Sequence, residues 1–136
     1  MPKQHLNPPD LFPSLQYGFS QIVTTPPGKM VFMSGQVAWD AQQTIIGEQD
    51  LKAQTLQALR NVEKGLSAAG AKLTDVVSMR LYIVDYASHK AQQITDALNE
   101  VFEGEQPPTC TWIGVAALAD ENFLIEIEVM AVIENV

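Results

Sequence analysis

Two carboxylates stand inside a long apolar run near the C-terminus, in "NFLIEIEVMAVI". Phe123, Ile125, Ile127, Val129, Ala131 and Ile133 alternate with Leu124, Glu126, Glu128, Met130 and Val132, the period-2 pattern of a strand. Glu126 and Glu128 therefore project side by side from a mostly apolar face. Burying an unpaired carboxylate is costly, so that face meets solvent or something needs the charge there, as a general base would. Upstream, "PPTCTWIGV" places Cys110 and Trp112 on a second strand-like run. A lone cysteine acts either as a small buried hydrophobe or as a reactive thiol. A cysteine–histidine nucleophile would need His5 or His89 beside it, and nothing in the spacing brings them together. Neither histidine has a further ligand at metal-binding spacing, so no metal site is expected. "GFSQ" and "SGQV" lack the glycine spacing and the lysine of a phosphate-cradling loop.

Charge narrows the partners. The chain has 136 residues with 16 acidic and 8 basic side chains, a net charge of −8. Its lysines and arginines form no run or stripe. Affinity for nucleic acid comes largely from basic groups displacing counterions, so a nucleic-acid partner is disfavoured, and so is an anionic membrane. Apolar residues make up 46% of the chain and charged residues 18%, a globular balance. No apolar run approaches the roughly 20 residues that span a bilayer. "MPKQHLNPPDLFP" lacks the pattern of a secretory signal, and a single cysteine forms no internal disulfide. These features predict a cytoplasmic protein with one domain over residues 1–136.

The elements that must position these residues follow from periodicity. The proline-rich opening thirteen residues read as an arm or loop. "YGFSQIVT" (17–24) reads as a strand, "TPPGK" as a turn, and "MVFMSGQV" as a second strand breaking near Gly35. A helix starts after Asp50 as N-cap, carries Leu59, Val62, Leu66 and Ala69 on one side, and stops at Gly70. "DVVSMRLYIVDY" is a strand with Val77, Met79, Leu81 and Ile83 on one face. Ser88 caps a second helix bearing Ile94, Ala97, Leu98, Val101 and Phe102. Two closing strands complete the order β-β-α-β-α-β-β.

Two amphipathic helices can cover one face of such a sheet. The other would expose Trp112, Leu124, Met130 and Val132, a patch of the kind that marks self-association. If Leu118 pairs with Leu124 across the last loop, Cys110, Trp112, Glu126 and Glu128 all point to the helix-free side.

In sequence the chain resembles the Rid/YjgF family, some members of which carry older names such as translation-initiation inhibitor or perchloric-acid-soluble ribonuclease. The resemblance runs from about Gly18 onward through "GFSQ", "FMSGQVAWD", "SAAGAKLTDVV", "LYIVD" and the proline-rich to "IEIE" stretch. It implies an α+β fold similar to trimeric chorismate mutase, with a mixed sheet, two helices on one face, and clefts between three subunits. The implied activity is hydrolysis of reactive imines and enamines to ketones and ammonia, with no cofactor.

In those deaminases a glutamate of the last strand handles water, and an arginine in a Pro-Ala-Arg-Ser block pairs with the substrate carboxylate. The matching positions here are Glu126 and Cys110, with Trp112 nearby. Gly35 falls on a backbone position near the carboxylate, Phe19 on the aromatic wall, and a family asparagine near Thr95. The water-handling acid is thus present and the guanidinium is replaced by a thiol, which cannot form a bidentate carboxylate clamp.

Three functions compete on these grounds. The first is a Rid-type small-molecule hydrolase with Glu126 as general base, Phe19 and Trp112 shaping the pocket, and Gly35 and Cys110 beside the substrate. The second is a non-catalytic trimer that binds a metabolite or protein partner in the same clefts. The third is an endoribonuclease or translation inhibitor, which conflicts with the charge.

Overall fold

The structure, a computed structural model, describes residues 2–135. Its centre is a four-stranded sheet formed by β3 (Gly28–Phe32), β4 (Val76–Val84), β5 (Thr109–Val115) and β6 (Ile125–Glu134). Its spatial order is β3-β6-β4-β5. β6 runs antiparallel to both β3 and β4, whereas β5 runs parallel to β4. A parallel neighbour needs a crossover, and α2 (Ala91–Val101) supplies it, lying beside α1 (Leu51–Ala68). A separate small ribbon pairs β1 (Gln4–Leu6) with β2 (Ile22–Thr24).

The core lies between the helices and one sheet face. Leu59, Val62 and Leu66 of α1 and Ile94 and Leu98 of α2 are buried together with Met79, Leu81 and Ile83 of β4 and Ile125, Ile127 and Val129 of β6. Each large aliphatic side chain so buried contributes about 1.5–3 kcal/mol. The ends of α1 follow local chemistry. The Asp50 carboxylate accepts from the Ala53 amide at 3.0 Å. At the other end Gly70, at φ +81°, lets its amide reach the Ser67 carbonyl and the Ala71 amide reach Leu66.

Several expectations need correction. The opening arm is not all loop, because Gln4–Leu6 pairs with β2. The first expected strand begins only at Ile22, residues Ser14–Tyr17 forming a 3-10 turn. Ser88 opens a short 3-10 turn and makes no side-chain cap to α2. In β4 a register shift between Val76 and Ser78 turns Val76 into the core with Met79.

The largest correction concerns the closing strands. β5 and β6 are not neighbours, since β4 lies between them and pairs with both. The chain after β5 therefore crosses an intervening strand, and hairpin parity does not govern its faces. Through β4, Cys110 sits opposite Met79 and Trp112 opposite Leu81, on the helix-covered face. Glu126 sits opposite Tyr82 and Glu128 opposite Arg80, on the other. The four do not share a side. On the helix-free face Met30 and Phe32 are exposed instead of Trp112.

Candidate functional site

The segment after β3 leaves the sheet edge but stays tied to β6. Gln36 and Ile127 exchange both backbone hydrogen bonds, at 2.8 and 2.9 Å. That pairing lays Gly35 over Glu126, so closely that a Cβ at Gly35 would run into the Glu126 carboxylate. A larger residue at 35 would have to displace the Glu126 side chain, so glycine lets the carboxylate lie where it does. Both line a cavity of about 660 Å³ whose walls include Met33, Trp39, Asn61, Lys64 and Phe123.

The two glutamates differ in their bonding. Glu128 accepts from the Tyr82 hydroxyl at 2.9 Å and lies 3.8 Å from the Arg80 guanidinium. Both partners of that ion pair are substantially exposed, so it adds little stability. Glu126 forms no ion pair among the described residues. It is half-buried and faces the cavity, with its carboxylate open to a ligand or water.

Hydrogen bonds from α1 shape the cavity wall. Asn61 donates through Nδ2 to the carbonyls of Val37 and Trp39, at 2.8 and 2.7 Å, and Gln57 holds Asn61 by donating to its Oδ1 at 3.0 Å. Gln54, fully buried, donates to the Asn122 carbonyl and accepts from the Leu124 amide, fixing the loop that carries Phe123. Trp39 meets Phe123 edge to face with centroids 4.7 Å apart. The sequence reading missed this set. Its signal was available, since Gln54, Gln57 and Asn61 repeat at 3–4 spacing beside the apolar stripe of α1.

The remaining sequence candidates gather elsewhere. Trp112 packs between Phe19 and Tyr86, with centroids 6.2 and 6.3 Å away, and Phe12 lies against Phe19. The Trp112 indole Nε1 is buried without a hydrogen-bond partner among the described residues. Cys110 belongs to the hydrophobic core, and burial pushes its thiol from 9.0 up to about 12; the Trp112 indole is near enough to the sulfur to offset part of the effect but does not reach hydrogen-bond geometry with it. A thiol so placed stays protonated at neutral pH. Thr95 is buried and donates to the Tyr17 carbonyl at 3.1 Å, a packing role that fixes the segment before Phe19. Within one chain, then, Gly35 and Glu126 are brought together, and Phe19, Cys110 and Trp112 form a second group on the other face of the sheet.

Neither histidine joins either group. His5 sits on β1, where burial lowers its pKa, and His89 is exposed beside α2. Among the described residues no three of His, Cys, Asp and Glu converge as metal ligands, and no helix is long and apolar enough to cross a membrane.

The family model described as Endoribonuclease L-PSP matches residues 13–133. The chain belongs to that family, the Rid/YjgF family, and has its chorismate mutase-like α+β fold. It is 32% identical over 133 residues to a 2-iminobutanoate/2-iminopropanoate deaminase of Dermatophagoides farinae, covering 98% of each chain. A crystal structure of a Rid-family protein of unknown function, YyfB of Yersinia pestis, superposes with a TM-score of 0.92 at 39% identity, over 98% of this chain and 100% of that one. The structure of Escherichia coli TdcF with bound serine gives a TM-score of 0.70 at 29% identity, over 81% and 85%.

Proposed function

We propose that the protein is a Rid-type hydrolase that adds water to the C=N bond of an imine, or of an enamine after tautomerisation, and releases a carbonyl compound and ammonia. The observation that carries this reading is the Glu126 carboxylate, without an ion pair among the described residues and facing the cavity beside Gly35. A carboxylate held there can orient water toward the electrophilic carbon and accept its proton. The same proton then serves the departing nitrogen. The family relationship and the deaminase relative at 32% identity support the reaction class.

The reading includes a homotrimer of single-domain chains in the cytoplasm, with a small-molecule ligand in clefts between subunits. Met30 and Phe32, 54% and 68% exposed on the helix-free face, support assembly through that face. In this reading Phe19 and Trp112 of one subunit complete the wall opposite Gly35 and Glu126 of the next, with Cys110 behind them in that subunit's core. Light scattering is expected to give three times the 14.9 kDa chain mass, and a stable monomer would refute the assembly.

Cys110 favours a second reading, a trimer that binds a metabolite without turning it over. Its thiol is buried and protonated, and the resemblance aligns it with the carboxylate-pairing arginine of the family's deaminases. The deciding measurement is ammonia release from imines with and without an α-carboxylate, for wild type and Glu126→Gln. Catalysis predicts release above the spontaneous rate and a loss of a hundredfold or more in the variant, in line with the roughly 10²–10⁴-fold contribution of a general base. Equal, background-level release by both proteins would favour the binding reading.

A further inference from the structure

Taking the proposed cleft as the site, we infer that its ligand is an anion with a bulky aromatic or aliphatic body, and that Lys64 anchors the anionic group. Three observations converge on this. The cavity of about 660 Å³ lies in the range of roughly 300–1,000 Å³ that holds drug-sized ligands, so a four-carbon imino acid leaves most of it empty. Much of its wall is apolar, with Met33, Val37, Trp39 and Phe123 among the lining residues, and the Asn61 hydrogen bonds to the Val37 and Trp39 carbonyls hold one side in place. Such a surface suits an extended apolar body.

The third observation is electrostatic. Three charged side chains line the cavity: Asp40, Lys64 and Glu126. Asp40 is occupied by its own turn, accepting from the Gln42 and Thr44 amides at 2.9 Å each. Glu126 is the acid of the proposed reaction. Lys64 has no ion-pair partner among the described residues and is the cavity's one cation. It projects from α1 one residue before Gly65, where a Cβ would collide with the Met33 side chain. The helix thus lies close against the cavity floor and brings the ammonium to its rim. A carboxylate anchored there is held from α1, not from β5, where Cys110 lies. As a compact, mobile point charge, the ammonium sets position less strictly than a guanidinium fork, which leaves the apolar walls to select the body.

Calorimetry with stable carbonyl compounds tests the assignment without turnover. The probes are phenylpyruvate (anionic and bulky), 2-oxobutanoate (anionic and small) and phenylacetone (bulky and neutral). Phenylpyruvate is expected to bind at least tenfold more tightly than either of the others, and less tightly as salt rises. Lys64→Gln should lose most of that advantage, Lys64→Arg should retain it, and neither should alter phenylacetone binding. Lys64 is exposed on its helix and glutamine has a similar helix propensity, so the variants are expected to fold, with urea midpoints as the check. Unchanged phenylpyruvate binding in Lys64→Gln, equal binding of 2-oxobutanoate, or no binding of any probe would each overturn the inference. Lys64-dependent binding in a protein that hydrolyses no imine would overturn the proposed reaction and leave this site standing. Hydrolysis that is indifferent to Lys64 would do the reverse.

Discussion

The Glu126 side chain and the Cys110–Trp112 cluster lie on opposite faces of one sheet, Glu126 opening at the sheet edge into a cavity that α1 also lines. The two regions are built from different materials. The first joins an open carboxylate, a glycine that admits it and a helix-borne network of amide hydrogen bonds. The second is a packed aromatic group over a protonated thiol, with one indole N–H left unpaired. A side chain that does chemistry must keep an unsatisfied valence turned toward a space that a ligand can enter. Glu126 meets that condition within a single chain, and Cys110 does not. The two regions therefore differ in kind: Glu126 borders open space, and Cys110 is packing.

Substitutions on the two sides should separate accordingly. The largest contrast is Glu126→Gln against Cys110→Ala: the first should remove a hundredfold or more of any ammonia-releasing activity with little change in stability, and the second should leave most of the activity and lower the urea midpoint. A comparable loss of activity from Cys110→Ala would put the thiol back in the chemistry. Gly35→Ala comes next. Its new methyl collides with the Glu126 carboxylate, so strain of about 1–3 kcal/mol is expected, together with reduced turnover because the carboxylate must move. The double variant Gly35→Ala with Glu126→Ala should recover much of the stability and none of the activity. Failure of that recovery would mean that Gly35 is held by something other than Glu126.

Much of this was legible before the structure. The order of elements from β2 onward, the N-cap at Asp50, the stop at Gly70 and the alternation of β6 follow from local chemistry that each residue carries with it, whereas β1 in the proline-rich arm does not. The glutamate pair was visible because charge inside an apolar alternation is conspicuous at any register. Strand order was not legible, because nothing in "GVAALADEN" states that the chain passes β4 before pairing. Assuming a hairpin put Cys110 and Trp112 on the face of Glu126, and one intervening strand reversed the result. The hydrogen bonds of Gln54, Gln57 and Asn61 were hidden for a similar reason. Polar residues on a helix ordinarily read as a solvated face, and only the fold shows that loops from residues 37–39 and 122–124 lie against them.

The buried thiol gives the comparison a pH signature. Cys110 titrates near 9.0 when exposed and near 12 in the fold, so between those values the unfolded chain has lost a proton that the folded chain keeps. Stability from this group is present in full below about pH 9 and falls as pH rises toward 12, with a limiting slope of about 1.4 kcal/mol per pH unit. Urea midpoints of wild type and Cys110→Ala should therefore converge between pH 8.5 and 10.5 by roughly that slope. Parallel midpoints across that range would mean that the thiol is ionised or exposed in the folded protein.

The smallest expected effect is at Trp112, where two contributions oppose one another. Replacing the indole by a phenyl ring removes buried surface and loosens the packing with Phe19 and Tyr86, which lie 6.2 and 6.3 Å away between ring centroids. It also removes the Nε1 donor, buried without a partner, and an unsatisfied buried donor costs about 1–3 kcal/mol. The lost indole surface is worth a similar amount, so Trp112→Phe should change stability by less than about 1 kcal/mol, whereas Trp112→Ala, which loses the ring entirely, should cost about 3 kcal/mol. The near-cancellation holds only while the donor lacks a partner. If assembly or a ligand supplies an acceptor to Nε1, Trp112→Phe loses a real hydrogen bond and its cost rises toward that of Trp112→Ala. Urea denaturation of both variants, with and without saturating phenylpyruvate, reads that difference. A ligand-dependent penalty shared by both variants, neither of which keeps the indole donor, would show that the packed cluster still forms one wall of the binding site.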